Sequence, residues 1–338
     1  MHRLPGNRRR GAGSGADIRL DRSLLRPTGR PDWAAAAALA VALGAVFVSC
    51  DLLGQPSAGA AVALGFVLTA VPVIPRTLVA AAEVLALRTA AVAAGAGVVL
   101  LFGGNTPALA VCTVGAAMLG AVLPKLGATA ALAIVLMDLH TGRLVEAPPL
   151  PLPVLYLSGA AAVWVAVLLA RATRRAPAET AARKAGYTLV AAMGVAVALA
   201  TTVAAAVPED VVGAHWLITS VILSIQSDPS ATGLRLAQRL SGNLVGAVLA
   251  AVILAAHPAT VVLVVAIVVL FLLAMALRPV NYTWWAVTGP PVLLLISEYP
   301  AVFPWYEGGV RLLMNVVGAL IVVAVVFGAP KCLPAKRW

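Results

Sequence analysis

Charged side chains are scarce in this sequence. Only 11% of its 338 residues are Asp, Glu, Lys or Arg, against 62% that are hydrophobic. So much apolar surface cannot be hidden inside a soluble globule and must face another apolar phase. Polar runs long enough to form a separate soluble domain are missing too. Cysteine is confined to Cys50, Cys112 and Cys332, far apart and without paired spacing, which suggests neither a disulfide framework nor a thiolate metal site. No GxxxxGK(S/T) phosphate loop, HExxH pair or nucleophile elbow occurs. The expectation is therefore a protein that is not an enzyme and holds neither metal nor cofactor.

What the sequence has in abundance is apolar runs of spanning length. A bilayer core is about 30 Å thick and takes roughly 20 helical residues to cross. The runs are longer than barrel strands and lack their apolar/polar alternation, so helices are the workable way to satisfy the backbone in lipid. Breaking the chain at charged, Pro-rich and Gly-rich punctuation gives spans at 33–50, 57–74, 88–102, 106–122, 126–139 and 153–170. A second set follows at 186–207, 212–226, 238–256, 259–277, 281–297 and 309–328. The pattern predicts an all-α integral membrane protein of about twelve transmembrane helices, arranged as two six-helix repeats. Its parts are a basic tail over 1–32, a first set over 33–170, a linker over 171–184, a second set over 185–328 and a short tail over 329–338. The arginine-rich start followed by Trp33 to Cys50 mimics a signal peptide. We reject that reading because the charged region is too long, the run is of spanning length and further runs follow at once.

Basic loops stay on the cytoplasmic side of a membrane. With both termini inside, every Lys and Arg except Arg143 and Arg311 falls on that side, whereas Asp51, Glu146, Glu209, Asp210, Glu298 and Glu307 fall outside. The expected location is the bacterial inner membrane, with both termini cytoplasmic. The net charge of +11 could suggest nucleic acid, but the N-terminal arginines lie just before a spanning helix, so anionic lipid is the expected partner of that tail. A homo-oligomer stays open.

Many transporters are built from two related bundles. Here Arg88 precedes Gly95 by seven residues, and Arg239 precedes Gly246 by the same interval. The halves also share an acid before the second span, Asp51 and Asp210, and a proline between their fourth and fifth spans, Pro124 and Pro279. A sharper pattern, Arg-x3-Asn-x2-Gly, occurs at Arg239, Asn243 and Gly246 and again at Arg311, Asn315 and Gly318. Offsets of four and seven put a cation, an amide and a close-packing glycine on one helix face. Arginine's planar fork suits carboxylates, and a cation in a spanning helix generally faces the bundle interior or water. The plainer account has Arg239 and Arg311 snorkelling to headgroups while the glycines only let helices pack.

The stretch from His215 to Val252 resembles the signature of the fusaric-acid-resistance and aromatic-acid-exporter family. Trp216, Thr219, Asp228-Pro229, Thr232, Arg235, Arg239, Gly242 and Gly246 follow that family's Trp, Thr, acidic-Pro, Thr and Arg-x-x-x-Arg-x-x-Gly-x-x-x-Gly series. Asn281-Tyr282, Arg311 and Gly318 also fit, and the similarity runs over about 185–328. The resemblance implies a transport domain of six-helix units that exports aromatic carboxylates in some members, with plant malate channels, which pair two such units, as distant relatives. Asn243 stands where the family usually has Thr. The first half puts Val92 at the Asn position, and Leu152 and Tyr156 where partners of Arg311 and Asn315 would lie, so any pore is expected to be asymmetric.

These observations lead us to expect a transporter of small organic anions whose path is lined by Arg88, Arg235, Arg239, Asn243, Asn281, Tyr282, Arg311 and Asn315. Arg88 and Arg239 would sit near helix starts at the cytoplasmic mouth, with Arg311 toward the outside. Proton coupling would need a titratable group, for which Asp138 and Asp228 are the candidates, with Glu83, His140 and His215 as other polar residues in apolar surroundings. Glu83, between Arg76 and Arg88, reads as a surface ion-pair partner. Trp216, Tyr282, Trp284 and Trp285 read as interfacial anchors. The rival function is a non-transporting scaffold or accessory subunit of an envelope system, against which the short loops count.

Overall fold

The structure, a computed structural model, describes residues 24–27, 29–71, 74–75, 77–144, 148–171, 186–208, 213–299 and 306–328. Apart from Arg171, the linker read over 171–184 lies outside the described residues, as do the tails over 1–23 and 329–338.

The described residues form twelve α-helices. They are α1 (Trp33–Leu52), α2 (Pro56–Ala70), α3 (Leu78–Phe102), α4 (Thr106–Val122), α5 (Thr129–Gly142), α6 (Leu152–Arg171), α7 (Tyr187–Ala205), α8 (Ala214–Ser224), α9 (Pro229–Ala255), α10 (Thr260–Leu277), α11 (Tyr282–Glu298) and α12 (Glu307–Val323), the last ending in a π turn (Ala324–Gly328). The boundaries follow from capping chemistry. Asp32, Asn105, Asp228 and Asn281 each accept a backbone N–H at the start of a helix, and Pro107 and Pro229 occupy first-turn positions where no N–H is needed. Gly54 (φ 67°) and Gly104 (φ 80°) turn the chain after α1 and α3 in a backbone region that side chains disfavour.

Seven helices are long and apolar enough to cross a membrane: α1, α3, α6, α7, α9, α10 and α12 with its π turn. The other five are shorter. The eleven residues of α8 extend only about 16 Å, at 1.5 Å per residue, about half of a bilayer core. Short helices of this kind are tolerated at membrane depth when protein surrounds them. Helix α2 fits that requirement, since every residue from Ala58 to Ala70 is buried.

Two starts differ from the sequence reading, and the difference moves the key cations. Helix α3 begins at Leu78 rather than at 88, and α9 at Pro229 rather than at 238. Treating Glu83, Arg88, Arg235 and Arg239 as boundary charges cut those helices short. In the structure Asp228 caps α9, accepting from Ala231 N at 3.1 Å, and the helix runs straight through both arginines. Arg88 and Arg239 are therefore not at helix starts. Each lies ten residues beyond the first helical residue, about 15 Å along the axis.

Lipid tails offer helices no hydrophobic reason to associate, so close packing through small residues has to hold them together. Helix α2 lies against α6, where Gly65 meets the Tyr156 backbone and Gly159 meets the Val62 backbone. Helix α3 packs on α5, α9 on α11, and α8 on α12. Between the first six helices and the last six, α1 packs on α10 and α4 on α7, while α2 touches α11 and α5 touches α8. Phe66 of α2 meets Phe271 of α10 edge to face, with centroids 6.0 Å apart. Outward faces carry exposed Val and Leu, among them Val48, Leu100, Val165, Val248 and Val265.

Candidate functional site

Helix α9 carries Arg235, Arg239, Asn243 and Gly246 on one stripe, and that stripe faces α11 and α12. It comes close because Gly242 and Gly246 lack side chains. A Cβ on Gly246 would stand 2.5 Å from the Val287 carbonyl oxygen of α11. That helix contains Pro290 and Pro291, which have no N–H to give to the preceding turn. Arg311, on α12, donates from Nη1 to the Pro290 carbonyl oxygen at 2.7 Å.

The two Arg-x3-Asn-x2-Gly motifs meet. Arg239 Nη2 donates to Asn315 Oδ1 at 3.2 Å, and Asn243 Nδ2 donates to the same oxygen at 2.7 Å. Asn315 Nδ2 in turn donates to the Arg311 carbonyl at 2.7 Å. Arg239 Nη1 donates to the Tyr282 hydroxyl at 3.1 Å, while the Tyr282 ring lies under the Arg235 guanidinium at 3.5 Å. Arg311 stacks over Trp216 at 3.4 Å, and Arg278 lies over Trp285 at 5.2 Å. Aromatic faces stabilise cations through the negative side of the ring quadrupole. Among the described residues, no carboxylate lies within ion-pairing distance of Arg235, Arg239, Arg278 or Arg311.

A cavity of about 400 Å³ opens between the two groups of six helices, at the end that holds the α4–α5, α8–α9 and α10–α11 loops. Its polar side carries Arg235, Arg278 and Tyr282, with Gln226 and Ser227 nearby. Its opposite wall is apolar, built from residues such as Val67, Leu132, Leu136 and Met193. Burial lowers the pKa of Arg278 to about 10, so it remains a cation at neutral pH. The arrangement suits a ligand with an anionic end and an apolar body.

Not every expected residue converges here. Arg88 is buried at 3% exposure on α3 and donates to the Thr69 carbonyl at 3.3 Å, away from the cavity lining. Arg239 and Arg311, at 6% and 7% exposure, do not snorkel either. Asn281 is engaged structurally. Its Oδ1 caps α11 at Thr283 N (2.8 Å) and accepts from Gln238 (3.1 Å), and its amide donates to the Arg26 carbonyl at 2.9 Å. Thr283 Oγ1 donates to the Leu24 carbonyl at 2.6 Å and Asp32 N to the Ala276 carbonyl at 3.2 Å, so the segment before α1 is strapped across the α10–α11 loop. Asp138 is half-buried on α5. Asp228 is exposed and occupied in capping. Glu83 pairs with Lys125 at 2.5 Å. His140 meets the Tyr156 hydroxyl at 3.1 Å within the first six helices.

The anchor reading of the aromatic residues changes. Trp216 and Trp285 are buried, at 3% and 5% exposure, beneath arginines, and Trp284 is the exposed one. Sequence reasoning missed Arg278 and Gln226 and gave Trp285 a different role. Arg278 reads as a topology signal in a basic loop, although its place just before Asn281-Tyr282 could have drawn it in.

The family model described as fusaric acid resistance protein-like matches residues 199–325, a stretch that takes in α8 to α12 and every arginine of the polar cluster but not Arg88. No curated protein and no solved structure matches the chain.

Proposed function

Because residues 199–325 match the family model described as fusaric acid resistance protein-like, we propose that this multi-pass membrane protein exports small organic anions of aromatic-carboxylate type. The cavity beside Arg235 and Arg278 is their entry site. One observation carries the reading: four guanidinium groups gather at one cavity and the polar cluster behind it without a described carboxylate. A site of that charge favours anions and rejects cations. The apolar wall opposite favours a carboxylate that carries a ring or chain over a bare inorganic anion.

Two six-helix repeats form the framework of this reading. The reciprocal packing supports it: α1 on α10 answers α7 on α4, and α2 on α11 answers α8 on α5. So does the matching depth of Arg88 and Arg239 in the third helix of each set. The cavity opens to the cytoplasm of a bacterial inner membrane, where the basic N-terminal tail also meets anionic lipid. Arg239, Asn243, Arg311 and Asn315 form the polar cluster behind the cavity, outside its lining. Proton coupling falls to Asp138, because Asp228 is held as a helix cap.

Proteoliposome flux of benzoate tests the proposal. Arg235→Gln and Arg278→Gln should each slow flux at least about tenfold, the loss of about 1.4 kcal/mol of anion binding. Equal flux in the wild type and both variants would remove the cavity from the mechanism.

A further inference from the structure

We propose a second site, buried behind the cavity, at which Arg239 and Arg311 together hold one small inorganic anion of the halide class. The two guanidinium groups come from different helices, α9 and α12, whose residues meet at Asn315: its Oδ1 accepts from Arg239 and its Nδ2 donates to the Arg311 carbonyl. Both are more than nine-tenths buried. Their Nη atoms are engaged, Arg239 with Tyr282 and Asn315, and Arg311 with the Pro290 carbonyl. Their Nε–H groups are not: each is buried with no hydrogen-bond acceptor.

Each acceptor they do have is neutral. Two like charges desolvated side by side are strongly unfavourable when only dipoles face them, and an anion that joins them removes both the repulsion and the orphaned donors. Guanidinium donates from its edge, and stacking on Trp216 covers a face of Arg311 while leaving that edge available. Neither arginine lines the 400 Å³ cavity. The surroundings are close-packed, with Gly242 and Gly246 against α11 and Gly318 against Ser220 of α8. Packing this close excludes a carboxylate with a ring attached, which limits the proposed occupant to a single-atom ion. Asn243 Oδ1, also buried without a donor, calls for one water hydrogen beside the ion. The anion is thus a fixed counter-charge that ties α9 to α12 and, through Pro290, to α11, and not the transported solute.

The test uses purified full-length protein in detergent, with thermal unfolding followed as sodium chloride or bromide replaces sodium gluconate at constant ionic strength. Anything that binds only the folded state raises Tm saturably. That rise is expected in the wild type and in Arg235→Gln, and is expected to vanish in Arg311→Gln. A wild-type Tm indifferent to halide overturns the proposal. If Arg311→Gln does not fold, equilibrium dialysis of the wild type with radioactive chloride decides. A single chloride per chain, retained when benzoate saturates flux, supports the site. No bound chloride, or its displacement by benzoate, overturns it. Displacement would assign the arginines to the organic anion and leave the transport reading standing, whereas bound chloride without benzoate flux would remove that reading and leave this one.

Discussion

Arg239 and Asn315 lie 76 residues apart in sequence and meet at 3.2 Å, joining α9 to α12 through the carboxamide oxygen that Asn243 also uses. Asn315 is therefore the acceptor at the centre of a group of donors. Replacing it tests how the polar cluster is balanced, because a neutral acceptor leaves the arginine charge uncompensated whereas a carboxylate would cancel it.

Asn315→Asp should keep the fold and lose the halide-dependent rise in Tm. A carboxylate at this position accepts from Arg239 and Asn243 through charge-assisted bonds, stronger than those to an amide. It also cancels one of the positive charges an anion would seek. Asn315→Leu should instead destabilise by about 1–3 kcal/mol for each buried donor it orphans. Thermal unfolding with and without halide on the same preparations separates the two effects, and an Asn315→Asp variant that keeps the halide-dependent rise contradicts the charge argument.

Gly246→Ala should separate α9 from α11, since its methyl would stand 2.5 Å from the Val287 oxygen and 3.3 Å from Pro291 Cδ. Overpacking of this kind costs about 1–3 kcal/mol. A methyl on Gly97 in α3 would meet nothing within 4 Å, so Gly97→Ala should be neutral or stabilise by about 0.5–1 kcal/mol through helix propensity. Unfolding of the two variants side by side checks the contrast; equal losses would mean that close helix approach at Gly246 is unimportant.

The helices themselves were legible in the sequence, because long apolar runs are punctuated by Pro, Gly and Asn at the turns. The starts of α3 and α9 were not, since a charge inside a spanning helix looks the same as a charge that ends one until its partners are known. Spacing placed Arg239 and Asn243 on one face but could not name Asn315, on a distant helix, as the acceptor. Trp216 and Trp285 show the same limit: an aromatic residue near a helix end has one sequence pattern whether it anchors in headgroups or lies under a guanidinium. Arg278 was hidden by its position in a loop, where basic residues report topology.

The strap before α1 should hold the cavity rim. Thr283→Val removes its bond to the Leu24 carbonyl, and Asn281→Ala removes both the Arg26 contact and the cap of α11. The first should loosen only the strap. The second should cost a further ~1 kcal/mol, the usual value of an N-cap. Hydrogen exchange should quicken across 278–283 in both, and unchanged protection there would show that the strap does not restrain the loop.

Asp228 should give the protein an acid-sensitive helix start. Its carboxylate, held by the Ser230 hydroxyl and then by the Ala231 N–H, has its pKa lowered. The unfolded chain therefore takes up the proton first. The contribution is fully present above the ordinary carboxylate range of about 4 and is lost as pH falls through the lower folded value. Asn is a comparable cap without a charge. The stability of the wild type relative to Asp228→Asn should accordingly hold above about pH 5 and fall as the pH drops below about 4; a difference independent of pH would show that the cap is not ionic.

The two-sided cavity makes a graded claim about substrates. If charge alone selected the anion, acetate, butyrate and benzoate would compete equally for Arg235 and Arg278. The opposite wall, with Leu132, Leu136 and Met193, removes apolar surface from water as well. Each buried CH₂ is worth about 0.8 kcal/mol, so the two further methylenes of butyrate should tighten binding by about 1.6 kcal/mol, roughly tenfold. Benzoate should compete more strongly still, and Met193→Gln should flatten the series without touching the charge requirement. Inhibition of labelled benzoate flux by the homologous acids measures this directly. A flat series in the wild type would leave the arginines as an unselective anion mouth and remove the apolar wall from substrate choice.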